Sequence, residues 1–435
     1  MIEILNIILT LIVFSILSFF SSFFMTNFLS NKKKIDILDL SGSSFIIFLN
    51  IILVFSLINP NKDLLFYFCL SISLLSIFIL IKNNFKLDNK ILYTFLLFFV
   101  LLVSIDISNN FGYTWDTKKY YLHKATAFYQ NYFINDFVVK AEYPHFGSYI
   151  WSFFWKNNLI NSEYTGRLIY GFIYVFSIFY FINSFNFEKY LKILVSIFLI
   201  LATYKTTLFD GRPDILMFSF FLFISKHLNE IFHKNKFNLI NIFFVILILN
   251  LIIWTKSEGV AYVILIGLTL LIFAKGTLNK KIILLGLIFG VIFIKYFTYH
   301  YYGISLNPHH DTFNIEAMNK INLNFIFTRS LDIISWYFVY LFTNPIIILS
   351  FLSLLIIFIK YKKLLIKFNY LYFFLIAKFC VLFATFFVTI YPMPFQVKYS
   401  LDRIIFHSSG LFLVVIYYCV INLLKDKKKL SINLD

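Results

Sequence analysis

The sequence predicts an all-α fold, a polytopic bundle of transmembrane helices, and three observations support this prediction. Of the 435 residues, 60% are hydrophobic and only 14% are charged, whereas soluble domains carry roughly 25% charged residues. The apolar residues fall in long runs separated by short polar breaks. Lysines collect in alternate breaks. Because a soluble fold of this size cannot bury so much apolar surface, the composition excludes a cytosolic enzyme, a secreted disulfide scaffold and a disordered chain.

A helix needs about 20 apolar residues to cross the hydrocarbon core of a bilayer. The first apolar run lacks a basic start and a small-residue cleavage site, so we expect a retained span rather than a signal peptide. The runs between polar breaks predict about thirteen spans, at 4–25, 42–58, 64–81, 91–108, 166–184, 191–205, 213–226, 239–255, 260–274, 282–298, 331–359, 370–390 and 405–424. The long run 331–359 is expected to tilt or to begin outside the bilayer.

The placement of lysines predicts which side each break faces, because cytoplasmic loops are enriched in Lys and Arg. With the N-terminus outside, the breaks assigned to the cytoplasm hold 22 lysines, and the outward breaks other than 109–167 hold 8 Lys and Arg residues. Acidic residues show the reverse trend. Membrane topology therefore explains the formal net charge of +17, and we expect no binding of nucleic acid.

The predicted outward segment 109–165 is long and divides the chain. Within it, Tyr120–Tyr129 has apolar residues at helical spacing, which predicts an amphipathic helix at the membrane interface, and Tyr149–Trp155 repeats this character. We therefore distinguish an N-terminal four-helix region (1–108), the outward loop (109–165) and the remaining bundle (166–435), which we expect to form a single membrane domain.

Asp116 is the first candidate for chemistry. It follows Trp115 at the start of the outward loop, just after a predicted span, and precedes Tyr120, Tyr121 and His123. A partly desolvated carboxylate gains basicity and can accept a proton from a hydroxyl or an amine. The structural alternative is that Asp116 caps the helix beginning at Thr117.

The segment Asp210-Gly211-Arg212-Pro213-Asp214 is the second candidate, at the mouth of a short predicted span. Pro213 suits the first position of a helix, and the helix dipole favours the negative charge of Asp214. These preferences do not explain why two acids and an arginine occur together. A site for a divalent metal or for a phosphate would explain it.

Two further candidates place charge at the membrane boundary, where it is costly and usually functional. Lys256 and Glu258 occupy a connection too short to form a soluble loop, and they are expected to pair with each other or with a ligand. Arg403 follows Asp402 at the entry to the last span, where its planar guanidinium could meet a lipid-linked phosphate. Alternatively, Arg403 anchors the helix end and pairs with Asp402.

Two other groups of residues carry less weight. His309-His310-Asp311 lies in the second long outward segment, 299–330. Its side chains resemble metal ligands, but three consecutive residues rarely converge on one ion, so we expect a polar loop. The three cysteines lie in apolar runs without metal-ligand spacing, and we expect neither disulfides nor thiol chemistry.

These motifs resemble those of the GT-C superfamily of integral-membrane glycosyltransferases, particularly its bacterial dolichyl-phosphate-mannose-mannosyltransferase-like branch. The similarity covers roughly residues 100–410 and is carried by five motifs: Trp115-Asp116 with Tyr120, Tyr121 and His123; Tyr143-Pro144-His145; Arg212-Pro213-Asp214-Ile215-Leu216; Thr255-Lys256-Ser257-Glu258-Gly259; and Asp402-Arg403. Two features depart from the family pattern: four runs precede the outward loop instead of one, and Asp116-Thr117 replaces the usual Asp-Glu pair.

The resemblance implies a GT-C-like fold and transfer of a sugar from a polyprenyl-phosphate donor to a lipid, glycan or protein acceptor. It implies an enzyme of the bacterial inner membrane with its active site facing the periplasm. Asp116 would be the general base, and Arg403, Lys256 and Arg212 would bind the donor phosphate. Asp210 or Asp214 would hold a divalent cation, Mg²⁺ or Mn²⁺, as the cofactor in members that use one. The implied substrate contacts are Tyr120, His123, Tyr143, His145, Glu258 and Asp402.

Two other functions are kept open. A polysaccharide polymerase or ligase of the O-antigen type is also polytopic and would shift the chemistry to His309 and His310. A transporter or flippase should carry ionisable groups at mid-membrane. Only Lys295 and Lys378 come close, and we expect both near helix ends, which disfavours transport.

Overall fold

The computed structural model describes most of the chain, and the residues that it describes fall in nine ranges. They are 2–29, 34–58, 61–83, 85–110, 112–137, 141–157, 162–304, 323–387 and 393–432. His309, His310 and Asp311 lie outside them.

Nearly all described residues belong to helices. In chain order these are α1 (Ile2–Leu17), α2 (Ser22–Leu29), α3 (Ile37–Ser56), α4 (Lys62–Lys82), α5 (Lys90–Asn109), α6 (His123–Tyr129), α7 (Phe146–Lys156), α8 (Glu163–Asn183), α9 (Lys189–Thr203), α10 (Asp214–Phe232), α11 (Leu239–Thr255), α12 (Gly259–Phe273), α13 (Leu278–Tyr301), α14 (Leu323–Thr343), α15 (Pro345–Lys360), α16 (Lys362–Leu365), α17 (Asn369–Phe387), α18 (Met393–Ser409) and α19 (Leu413–Ile432). A π-helical turn, Thr117–Leu122, precedes α6, and short 3₁₀ turns occur at Ile134–Asp136, Thr206–Phe209, Ile366–Phe368 and Gly410–Phe412.

The structure confirms an all-α bundle suited to a membrane. Within the described ranges, eight helical stretches are long and apolar enough to cross a bilayer, and a ninth is possible if the bent pair α14–α15 is counted as one span. Three shorter apolar helices, Glu3–Leu17, Leu239–Thr255 and Gly259–Phe273, accompany them. The eight stretches are Ile37–Ser56, Lys62–Lys82, Lys90–Asn109, Glu163–Asn183, Asp214–Phe232, Leu278–Tyr301, Lys362–Phe387 and Ser400–Asp426.

Three local features differ from the expectations. The run 331–359 is not one tilted helix, because α14 and α15 meet at 83°. Pro345 cannot continue a helix, and the Asn344 side chain caps α15 by accepting from the Ile346 and Ile347 amides. The predicted interfacial helix 149–155 is α7, which is buried against α8 instead of lying at a surface.

The third difference is a short parallel pairing of Lys34–Asp36 (β1) with Lys86–Asp88 (β2). It joins two breaks that the lysine distribution assigns to the cytoplasm. Asp36 fixes this ribbon to the bundle, because it caps α3 through the Leu38 and Asp39 amides and accepts from the Asn89 amide group. Segments predicted on the same side of the membrane are therefore neighbours.

Helices α8 and α10 lie in the middle of the bundle. The apolar stretch of α8 is completely buried, and that of α10 is nearly so. Helix α10 packs against α8, α11 and α18. It begins at Asp214, and Lys226 follows twelve residues later, about 18 Å along the axis at 1.5 Å per residue. One central helix thus carries buried charge near both of its ends.

Candidate functional site

Asp214 is the centre of a buried cluster of charged side chains. Its carboxylate is only 2% exposed. Oδ1 lies 2.6 Å from Lys256 Nζ and 2.6 Å from His407 Nε2. Asp214 begins α10, Lys256 follows the last residue of α11, and His407 lies on α18. Three segments far apart in the sequence therefore converge on one carboxylate.

Arg403 connects this cluster to the predicted outward loop. Its Nη1 lies 3.2 Å from Asp116 Oδ2 and 3.8 Å from Asp214 Oδ2. Arg403 and His407 are four residues apart on α18, so both lie on the same face of that helix. Arg403 and Asp116 remain partly exposed, with 25% and 36% of their side-chain surface accessible. Asp116 is thus the accessible acid of the cluster and Asp214 the buried one.

The loop before α10 places a second ion pair beside Asp214. Asp210 accepts a hydrogen bond from Thr114 Oγ1 at 2.7 Å, and Arg212 Nε lies 3.1 Å from Asp210 Oδ2. Gly211 allows this turn, because its φ of +100° strains other residues and an added Cβ would lie 2.2 Å from Trp151 Cζ3. The loop therefore requires glycine on both conformational and steric grounds.

Two atoms of the central pair retain unused hydrogen-bonding capacity. Asp214 Oδ2 and His407 Nδ1 are buried, and neither has a hydrogen-bond partner in the described part of the chain. Arg212 Nε and Arg403 Nη1 approach Oδ2 only to 4.0 and 3.8 Å, which is beyond hydrogen-bonding distance. Buried polar groups in native proteins are nearly always satisfied. A hydrogen bond to a polar ligand or to an ordered water would satisfy these two atoms.

Glu258 and Tyr121 belong to the same charged environment. Burial alone would raise the pKa of Glu258, but the positive charges of Lys256 and His407 outweigh it and hold that pKa below its usual range. Burial and the nearby carboxylates of Asp214 and Glu258 raise the pKa of the Tyr121 phenol well above its usual range. Tyr121 therefore remains a neutral hydroxyl next to the cluster.

The other expected substrate contacts differ in their position relative to the cluster. Tyr120 packs against Trp115 and Tyr143, with ring centroids 5.7 and 5.6 Å apart, so these aromatic rings form a wall beside the cluster. His145 is buried elsewhere, with Nε2 2.9 Å from Ser56 Oγ. The side chains of His123 and Asp402 are exposed.

For Asp116 and Lys256, the observed contacts favour one of the two interpretations that the sequence leaves open. Asp116 makes no capping hydrogen bond and instead pairs with Arg403. Lys256 pairs with Asp214 rather than with Glu258, which accepts from Ser257 Oγ at 3.3 Å. Asp116 and Lys256 therefore pair with residues of other motifs across the bundle, whereas Arg212 pairs with Asp210 inside its own motif.

Sequence reasoning did not assign His407 to the site. The available signal was a histidine interrupting the apolar start of the last predicted span, one helical turn after Arg403. A second expectation was wrong. Lys378 lies in the middle of α17 and not near a helix end.

The expected divalent metal was tested against the side chains at Asp210 and Asp214. The described residues contain no group of three or more His, Cys, Asp or Glu side chains that could hold an ion. Both carboxylates face cations instead, Asp210 facing Arg212 and Asp214 facing Lys256. This arrangement does not fit a divalent cation, and no chemical step below depends on one.

The fold and the site together define an integral-membrane helical bundle with a buried charged cluster at one end. No protein-family model, no curated protein and no solved structure matches the chain. Functional inference therefore depends on the chemistry of the cluster.

Proposed function

We propose that the protein is a membrane glycosyltransferase. In this proposal it moves a sugar from a polyprenyl-phosphate donor to a lipid, glycan or protein acceptor at the periplasmic face of a bacterial inner membrane. The fold would be a GT-C-like bundle of about thirteen spans. One observation carries the proposal: Asp116, Arg403, Asp214 and Lys256, which lie in four segments predicted on one side of the membrane, meet in one cluster.

The donor phosphate would bind to the cations of the cluster. Arg403 and Lys256 lie on either side of Asp214, and Arg212 is 4.0 Å from its Oδ2. Arg and Lys form strong charge-assisted hydrogen bonds with phosphate oxygens. Their position inside a helical bundle suits a ligand whose head group is charged and whose tail is soluble in the bilayer.

Asp116 would act as the general base because it is the more accessible carboxylate. The acceptor hydroxyl attacks the anomeric carbon and gives its proton to Asp116. The bond from that carbon to the phosphate oxygen breaks, its electron pair stays on the leaving polyprenyl phosphate, and the anomeric centre is inverted. Arg403 and Lys256 stabilise the negative charge that develops on the phosphate.

The pairing of Arg403 with Asp116 explains how donor binding would prepare the base. In the described structure, Arg403 Nη1 lies 3.2 Å from Asp116 Oδ2 and forms an ion pair with it. A bound phosphate competes for the same guanidinium, and Asp116 then becomes available to the acceptor hydroxyl. Donor binding before acceptor binding follows from this competition.

The alternative functions receive less support. The residues that would favour a polysaccharide polymerase or ligase, His309 and His310, lie outside the described ranges. Transport would require titratable groups facing a path. Lys295 and Lys378 instead donate hydrogen bonds to the Ile253 and Ile404 carbonyls.

The proposal is tested with Asp116→Asn in membranes supplied with labelled polyprenyl-phosphate sugars, from a panel of hexoses and pentoses. We expect transfer to fall by about 10²–10⁴-fold, the usual contribution of a general base, while the affinity for unlabelled polyprenyl phosphate stays equal or increases. Asp332→Asn is the matched control, because it removes an exposed carboxylate on α14 that makes no proposed contact with donor or acceptor. Unchanged transfer by Asp116→Asn would exclude this residue as the base.

A further inference from the structure

Lys378 is a buried lysine that the proposed reaction does not use. It is 3% exposed. Its Nζ donates to the Ile404 carbonyl at 2.9 Å and to Ser408 Oγ at 2.5 Å. The Tyr262 hydroxyl donates to the same Ile404 carbonyl at 3.0 Å. Two side chains, from α17 and α12, thus hold one peptide carbonyl of α18.

A charged amine within a membrane span is expensive and is generally retained for a function. Among the described residues, no carboxylate forms an ion pair with Lys378. Its hydrogen bonds go to the Ile404 carbonyl and Ser408 Oγ, and the amine also lies 5.8 Å from the centroid of the Tyr262 ring. The hydrogen bonds that keep this amine in the bundle are therefore directed at a single turn of α18.

Two other buried lysines donate to main-chain carbonyls at helix ends. Lys192 bonds to the carbonyl of Asn183, the last residue of α8, at 3.3 Å. Lys295 bonds to the Ile253 carbonyl in the last turn of α11 at 2.8 Å. Carbonyls at these positions lack partners within their own helix, so such lysines act as ordinary C-terminal caps.

Ile404 has a different position. It lies five residues before the end of α18, where regular helical geometry directs each carbonyl at the amide four residues later. The hydrogen bonds from Lys378 and Tyr262 are thus additional to the helical one and do not replace a missing partner. Capping does not account for them.

The turn that Lys378 holds is the one that faces Asp214. It contains Arg403 and His407, whose side chains approach Asp214. Phe406, in the same turn, stacks on Phe218 of α10 with centroids 4.6 Å apart. Stacking of Phe406 sets how closely α18 approaches α10, and the bonds to Ile404 restrict rotation of α18 about its axis.

We propose that Lys378 is a positioning residue that, together with Tyr262, fixes the rotation of α18 so that Arg403 and His407 face Asp214. The contact itself does not depend on the reaction. Its effect on ligand affinity rests on the proposed function, in which Arg403 binds a lipid phosphate.

The test is a double-mutant cycle in nanodiscs, with undecaprenyl monophosphate as the probe. Lys378→Met should weaken binding on the order of tenfold, equivalent to about 1.4 kcal/mol. In the Arg403→Ala background, Lys378→Met should change the affinity less than twofold, because Lys378 acts through Arg403. An equal loss in both backgrounds would overturn the proposal. Lys378→Arg, which retains charge and donors, should recover most of the affinity.

A ligand-free measurement separates this inference from the proposed function. Cysteines placed at Asp116 and Arg403, with exposed Cys380 changed to Ser, are joined by a short bismaleimide. Lys378→Met should lower the cross-linking yield at least twofold, and an unchanged yield would contradict the inference. If the unmodified protein does not bind undecaprenyl monophosphate, the proposed function fails and the cross-linking yield alone decides the inference.

Two variants guard against a simple loss of folding. Tyr262→Phe removes only the second donor and should produce a smaller change in the same direction. Lys62→Met removes another buried lysine, whose amine donates to the Phe128 carbonyl. It should leave the affinity and the cross-linking yield unchanged even if it lowers thermal stability. If Lys62→Met lowered the affinity and the cross-linking yield as much as Lys378→Met does, Lys378 would have only a general structural role.

Discussion

The two ends of α10 carry ion pairs that differ in how deeply the carboxylate is buried and in how many of its hydrogen bonds are made. Near one end, Lys226 Nζ lies 2.5 Å from Asp39 Oδ1, which also accepts from Asn183 Nδ2 at 3.1 Å. At the other end, Asp214 pairs with Lys256 and His407 but leaves Oδ2 without a hydrogen bond. We call these groups the Asp39 cluster and the Asp214 cluster.

The histidines next to each cluster show the same contrast. His227, beside Lys226, uses both ring nitrogens, with Nδ1 3.2 Å from Asn241 Oδ1 and Nε2 3.3 Å from Tyr180 Oη. His407 uses only Nε2. Charge is therefore common to both clusters. What distinguishes the Asp214 cluster among the described residues is that its carboxylate is buried and that one carboxylate oxygen and one histidine nitrogen there lack a hydrogen-bond partner. This difference is the reason to regard the Asp39 cluster as structural and the Asp214 cluster as a site.

The largest effects are expected from neutralising the central carboxylates. Asp214→Asn leaves Lys256 buried without its counter-ion, a change that typically costs about 3–5 kcal/mol. It should also abolish binding of polyprenyl phosphate, because the cations lose the carboxylate that orders them. Asp39→Asn should destabilise the protein less, since the Asp39 carboxylate keeps 38% of its exposure. It should preserve binding per folded molecule.

Urea titration in mixed micelles gives the free energy of unfolding of both variants, and the affinity is normalised to the folded fraction. The comparison fails if Asp39→Asn loses affinity as completely as Asp214→Asn. Lys226→Met tests the same pair from its other side and should behave like Asp39→Asn.

A smaller effect is expected at two glycines that contact aromatic rings. An added Cβ would lie 2.2 Å from Trp151 Cζ3 at Gly211, and 2.1 Å from Tyr180 Cδ2 at Gly42. Overpacking of this kind typically costs about 1–3 kcal/mol. Gly211→Ala carries the additional strain of a positive φ and displaces the loop holding Asp210. It should therefore weaken polyprenyl-phosphate binding, whereas Gly42→Ala should lower stability alone. Equal affinities in the two variants would show that the loop geometry is not part of the site.

The sequence predicted which charged residues meet but not how they pair. Alternation of lysine-rich and acidic breaks assigns the segments of Asp116, Asp214, Lys256 and Arg403 to one side, and residues on one side of a bundle can meet. Pairing depends on which helices are neighbours, which hydropathy does not encode. Asp116 and Arg403 are 287 positions apart in the sequence, so no local sequence pattern predicts their contact.

Other features were inaccessible for related reasons. An apolar run such as 331–359 has the same composition whether it forms one span or two helices at 83°. Aromatic residues such as those of helix α7 suit both the membrane interface and the interior of a bundle. The sequence therefore predicted an interfacial helix, and only the packing against α8 shows that it is buried. The three-residue strands β1 and β2 are too short for alternation to be recognised.

The smallest effect concerns pH and the buried amine of Lys124, which lies outside both clusters. Burial lowers the pKa of Lys124 to about 7, from 10.5 in the unfolded chain. Between these values the unfolded chain binds a proton that the folded protein does not, so stability should rise with pH across this window. The slope approaches at most about 1.4 kcal/mol per pH unit. Lys124→Met should remove this rise, whereas Lys118→Met, at an exposed lysine of the same loop, should retain it. A slope that survives Lys124→Met would mean that a different group causes the rise in stability.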